Sequence, residues 1–285
     1  MSSEIADRTT VGAVHLTVAD LDSSLDYYRG AIGVDVRERD DGRAALGTSD
    51  RELLVLVEKV GAKPAYGYTG LYHFALRLPD RVDLARFLAH AGQESVPLVG
   101  LSDHFVSEAI YLSDPDGHGI EIYWDRPREV WEGQVFERMT TLPLDVASLT
   151  AELSDPASEP FDGLPDGTVM GHVHLKVASI PETVAFYRDV IGFDLMAQLG
   201  EQAAFLAAGG YHHHIGANTW ESAGAPPPPE GLAALRHATI VLPDAAERDR
   251  VVERLDQAGH LPGESDDGPR VRDPSGNVLV LALAG

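Results

Sequence analysis

Four segments of the chain begin alike, and that repetition restricts the fold more than any other feature. Val14-His15-Leu16-Thr17-Val18, Tyr72-His73-Phe74-Ala75-Leu76, Val173-His174-Leu175-Lys176-Val177 and Arg236-His237-Ala238-Thr239-Ile240 all read as strands with a histidine at one relative place. Each leads into an amphipathic helical stretch and then three short strand-like runs. The expectation is an α+β protein of four βαβββ modules in two similar domains. Modules 8–60 and 68–127 make the first domain, 8–127. Modules 168–220 and 231–285 make the second, 168–285, and an arm over 128–167 connects the two.

The helix signals recur at the same junctions. Asp20 precedes Leu21, Leu25, Tyr28 and Ile32, with Gly33 as the stop. Ser179 and Glu182 have capping-box spacing, Pro181 suits a first helical turn, and Gly192 closes the face formed by Val184, Tyr187 and Ile191. Leu78-Pro79-Asp80 and Leu242-Pro243-Asp244 stand at the junction in the other two modules. The last strands follow tight Asp-Pro turns: Asp114-Pro115-Asp116-Gly117 aligns with Asp273-Pro274-Ser275-Gly276. The third module has Gly210-Tyr211-His212-His213-His214-Ile215 there. In this alignment Leu54, Glu121, His214 and Val280 are equivalent. Trp131, Val135 and Phe136 imply that the arm packs against the body, and the run Pro226–Pro229 reads as a stiff spacer.

Composition removes several classes of function. With 22 Lys+Arg against 45 Asp+Glu the formal charge is −23, so nucleic acid and anionic membrane are not expected partners. The absence of cysteine excludes disulfides, thiolate nucleophiles and cysteine-based zinc sites. The N-terminal residues lack a secretory pattern, and no apolar run approaches the ~20 residues that span a bilayer. A soluble cytoplasmic protein is expected.

Each module offers a ligand position on its first strand and another on its last, and two modules must face each other to close a cup around an ion. Pairing first with second and third with fourth gathers His15, His73 and Glu121 in one cup and His174, His214 and His237 in the other. Pairing second with third gathers His73, Glu121, His174 and His214, and leaves His15 and His237 together. His73 and Glu121 stay together in both arrangements. His172 competes with His174, and His212 with His214, because each pair is two residues apart on one strand face. Two histidines and one carboxylate with open positions suit non-haem Fe(II) oxygen chemistry, whereas four protein ligands suit metal-assisted isomerisation. Taken singly, each of these residues has a bland alternative: a satisfied core histidine, or a glutamate on a wet strand face.

The combination Leu71-Tyr72-His73-Phe74, Ser102-Asp103-His104, Asp114-Pro115-Asp116-Gly117-His118-Gly119-Ile120-Glu121-Ile122-Tyr123, Gly171-His172-Val173-His174-Leu175 and Gly210–Gly216 resembles the vicinal-oxygen-chelate superfamily. That superfamily takes in glyoxalases, bleomycin-resistance proteins and extradiol dioxygenases, and the likeness is to its catechol-2,3-dioxygenase-like branch. The resemblance implies two glyoxalase-fold domains and an Fe(II)-dependent dioxygenase that opens a catechol-type aromatic diol with O2. It implies His73, Glu121, His174 and His214 as metal-site residues, and His214, His212 and Tyr123 in catalytic roles. No organic cofactor is implied, and Mn(II) is the alternative ion. A glyoxalase-like isomerase or lyase with Ni(II) or Zn(II), and a metal-free binder of an aromatic antibiotic, are the rival readings. Two-domain extradiol enzymes keep their ligand set in the C-terminal half, where Val280 here takes the place of the glutamate. Exposed strand edges and the arm are compatible with a homodimer.

Overall fold

The computed structural model describes residues 4–153 and 161–284, so part of the arm lies outside the described residues. The first module contributes β1 (Thr10–Val18), β2 (Asp35–Asp40), β3 (Arg43–Gly47) and β4 (Glu52–Glu58). The second contributes β5 (Gly70–Arg77), β6 (Gly100–Asp103), β7 (Ser107–Ser113) and β8 (Gly119–Asp125). The arm adds the short β9 (Leu142–Pro143). The third module supplies β10 (Val169–Lys176), β11 (Asp194–Leu199), β12 (Ala203–Ala207) and β13 (Ile215–Asn218). The fourth supplies β14 (Leu235–Leu242), β15 (Arg270–Arg272) and β16 (Val278–Leu283). Its third expected run is reduced to a bridge between Gly263 and Arg270.

The helices start where the caps stand. Asp20, Ser179 and Asp244 each accept the backbone N–H three residues on, satisfying one of the donors that a helix start leaves free. The helices of the first and third modules end in a π-helical turn, Tyr28–Ile32 and Ala185–Ile191, closed by left-handed Gly33 and Gly192. Both turns bury a tyrosine whose hydroxyl donates to an aspartate of the following module: Tyr28 to Asp114 at 2.9 Å, Tyr187 to Asp273 at 3.2 Å. These aspartates head the two Asp-Pro turns. The turns also receive the Ala19 N–H on Asp116 and the Ala178 N–H on Ser275. Turn docking therefore joins first to second and third to fourth.

Strand pairing joins the modules the other way. β5 runs antiparallel to β10 in a nine-stranded sheet, β11-β12-β13-β10-β5-β8-β7-β6-β9. β1 runs antiparallel to β14 in a seven-stranded sheet, β15-β16-β14-β1-β4-β3-β2. Each sheet thus takes one module from each half of the sequence. One continuous core covers the helix-facing sides, with Phe74, Leu76, Ile120, Ile122, Val173 and Leu175 among its members. Alternation then sends His73, Ala75, Glu121, Tyr123, His172 and His174 to the opposite face of the nine-stranded sheet.

The register corrects the sequence alignment of the last strands. Ala75 pairs with Glu121, His15 with Val55, His174 with Gly216 and Thr239 with Val280. Val55, Gly216 and Val280 are therefore the counterparts of Glu121, and Leu54 and His214 are not. The histidine run 212–214 lies in the turn before β13, because Gly209 and Gly210 take φ of 60° and 66° and bend the chain there. In the arm, Trp131 and Val135 pack with Val106, while Phe136 is exposed. No helix among the described residues is long and apolar enough to cross a membrane.

Candidate metal centre

Three side chains of the nine-stranded sheet converge on one point. Glu121 Oε2 lies 2.9 Å from His73 Nε2 and 3.1 Å from His172 Nε2, and the two nitrogens are 3.4 Å apart. All three residues are buried. They come from three adjacent strands, β8, β5 and β10. Glu121 and His172 both pair with Ala75 on the strand between them. A methyl group at that place leaves the space over which the carboxylate and imidazole meet.

The triangle has the dimensions of a coordination face. Donors 2.0–2.2 Å from a cation stand about 3.0 Å apart at right angles and about 3.4 Å apart in a tetrahedron. Two imidazoles and a carboxylate form a donor set for a first-row divalent ion. Burial would raise the Glu121 pKa, but the two imidazoles outweigh it and hold the carboxyl well below its usual range. Burial lowers His172 to about 4, against the pull of Glu121, which leaves its ring neutral and able to ligate near neutral pH.

Two hydrogen-bonded files flank the triangle. On one side His104 Nε2 is 2.7 Å from the Tyr111 hydroxyl, and burial and the Glu121 charge push that hydroxyl well above its usual range. On the other, His212 Nε2 donates to Asp125 Oδ1 at 2.7 Å, and His212 Nδ1 lies 2.9 Å from His213 Nδ1. The His213 ring lies 4.0 Å from that of His172. Asp125 also receives the Tyr211 hydroxyl, and Tyr123 donates to Tyr211, both at 2.8 Å. A Cβ at Gly171 would collide with the Tyr123 hydroxyl, so glycine is required there for the tyrosine to lie under β10.

The structure places the residues expected from sequence as follows. His73 and Glu121 are together. The third member of the converging group is His172, and His174 sits beside His73 with ring centroids 4.9 Å apart. His174 Nε2 is buried without a hydrogen-bond partner among the described residues. His214 Nδ1 accepts the Ala208 N–H at 3.2 Å, and its ring packs on Tyr211 and Phe193, outside the converging group. His212 and Tyr123 act on Asp125 and Tyr211. His118 holds the Thr17 carbonyl at 3.0 Å. His15 is on the other sheet, so the set His15, His73 and Glu121 is not assembled.

A sequence signal for His172 existed in the distance to the helix cap. His73 stands seven residues before the N-cap Asp80, and His172 stands seven before the N-cap Ser179. His174 stands five before Ser179, the place of Ala75 in the second module. Counting from the cap, rather than aligning histidines with each other, equates His73 with His172.

The seven-stranded sheet forms a second cup with different contents. His15 opposes His237 in register, and their rings stack 3.8 Å apart. Asp267 comes within reach of both. Burial, then neighbouring positive groups, pushes His15 down to about 3; burial lowers His237 to about 4 against the pull of Asp267. Val55 and Val280 occupy the positions of Glu121, so the two-histidine, one-glutamate set does not recur there.

The family model described as Glyoxalase/Bleomycin resistance protein/Dioxygenase superfamily matches residues 10–122 and 169–281, and the chain belongs to that superfamily. It is 43% identical over 291 residues to the catechol-2,3-dioxygenase of Bacillus subtilis strain 168, covering 99% of this chain and 100% of that one. The fold is similar to that of a putative dioxygenase from Bacillus subtilis (TM-score 0.64, 15% identity, 96% of this chain and 85% of the other). It is also similar to glyoxalase I from Zea mays (TM-score 0.57, 16% identity, 96% and 92%).

Proposed function

We propose that this chain is an extradiol ring-cleaving dioxygenase, which opens a catechol-type aromatic diol with O2 at an Fe(II) ion held by His73, His172 and Glu121. Mn(II) is the alternative ion. The observation that carries the reading is the triangle of donors with edges of 2.9, 3.1 and 3.4 Å. The full-length likeness to a catechol-2,3-dioxygenase supplies the reaction class. When bound, the ion supplies the open coordination positions and the charge conduit that this chemistry uses.

The chain's own residues do the rest. Burial keeps His174 neutral, and its free Nε2 beside His73 accepts a phenolic proton from the diol. Tyr72, Phe205 and Trp220 ring His174 at 5.3–5.7 Å between centroids and form an apolar wall for the aromatic ring. The file Asp125–His212–His213 fixes the His213 tautomer, leaving its Nε2 as a second proton acceptor beside His172. His212 and Tyr123 are positioning residues in this scheme, and His214 is structural. An isomerase with four protein ligands is less well supported, because among the described residues the converging group numbers three.

The test is anaerobic reconstitution with Fe(II), addition of catechol, and admission of air. Oxygen uptake matched by a yellow ring-fission product is expected. A protein that holds its metal yet consumes no oxygen with any of several vicinal diols would not be this enzyme. One that takes up no metal at all would be a binder.

A further inference from the structure

We propose that the seven-stranded sheet carries a second divalent-metal site, distinct from the triangle above, formed by His15, His237 and Asp267. Three observations carry it. One ring nitrogen of each histidine and one oxygen of Asp267 lie within 4.8 Å of one another. His237 Nε2 is buried without a hydrogen-bond partner among the described residues, a state that buried polar atoms seldom keep. Asp267 makes no ion pair among the described residues, although Arg43, Arg236 and Arg270 lie close enough to act on the two histidines.

The site is not a copy of the first. Counted from the helix caps Asp20 and Asp244, His15 takes the place of His174, and His237 takes the place of His73. Ala13 stands where His172 would, and Val55 and Val280 stand where Glu121 would. The carboxylate therefore comes from the loop before β15. Two imidazoles and one carboxylate suit a borderline ion such as Zn(II) or Ni(II), whereas Mg(II) and Ca(II) demand oxygen donors throughout. A donor spread of up to 4.8 Å closes to coordination distance by movement of Asp267, which is exposed on its loop. The bound ion would tie β1 and β14 to that loop, joining the first module to the last.

The experiment uses tag-free full-length protein stripped with chelator and titrated with Zn(II) by calorimetry. The background E121Q/H172N disables the first centre. It is expected to bind one Zn(II) per chain and to gain thermal stability from it. Adding His237→Asn removes both effects. Adding Asp267→Asn, a surface change that leaves the core intact, weakens the step by no less than the roughly 10- to 100-fold lost when an outer partner of a metal ligand is removed. A background protein that binds no zinc overturns the proposal. So does a titration that Asp267→Asn does not alter, whatever the behaviour of the core variant.

Discussion

Glu121 is the residue on which the site's chemistry turns. Its carboxylate is held ionised inside the sheet, against the effect of burial, by the His172 and His73 imidazoles that meet it there. Glu121→Gln keeps the volume and removes the charge. We expect metal content to fall and oxygen uptake to drop at least about 100-fold, measured by metal analysis beside turnover. His172 and His174 differ in a way one comparison resolves. His172→Asn should lose the metal; His174→Asn should keep it while kcat falls by about 10²- to 10⁴-fold, as for loss of a general base. If the metal follows His174 instead, the ligand assignment fails. Asp125→Asn, which disturbs the His212–His213 file, should keep the ion and lower the rate by about 10- to 100-fold.

At the scale of strands, Ala75 holds the centre open. Ala75→Leu would place a branched side chain between Glu121 and His172. It should abolish metal binding and cost about 1–3 kcal/mol through overpacking, read from the Tm of the metal-free protein. The same strands show what was legible in advance. His73 and Glu121 stand on strands whose apolar alternation marks their face, so both were visible in sequence. The third member of the converging group was not, because His172 and His174 share that face. Only the antiparallel pairing, His172 with Ala75 and His174 with His73, separates their places. The run His212–His214 misled for a related reason. It aligns with a strand by position, but two left-handed glycines make it a turn.

The whole molecule should lose stability toward both ends of the pH scale. His15, His172, His214 and His237 are lowered to between about 3 and 4 from 6.5, with burial the first cause in each. The unfolded chain therefore takes up protons that the folded one refuses. Metal-free stability should decline as pH falls below 6.5 through that window, by up to about 1.4 kcal/mol per pH unit for the buried His172 and His214 and by less for the partly exposed His15 and His237, where solvent screens the charge. Burial raises Tyr28, Tyr111, Tyr123, Tyr187 and Tyr211 well above 10. Their contribution is intact below pH 10 and lost above it, where unfolded tyrosines ionise and folded ones resist. Circular dichroism against pH, with tyrosinate absorbance on the alkaline limb, should show unfolding at both ends.

The sequence by itself determined the four modules, their caps and turns, and the candidacy of His73 and Glu121, because these depend on local periodicity and on hydrogen bonds a few residues long. It left open which modules share a sheet. Tertiary structure decided that, for two kinds of contact compete: Asp-Pro turns dock first on second and third on fourth, while β5–β10 and β1–β14 join the sheets across the halves. A converging group drawn from residues as distant as 73, 121 and 172 exists only once backbone pairing has fixed the register between strands. No local pattern encodes that register.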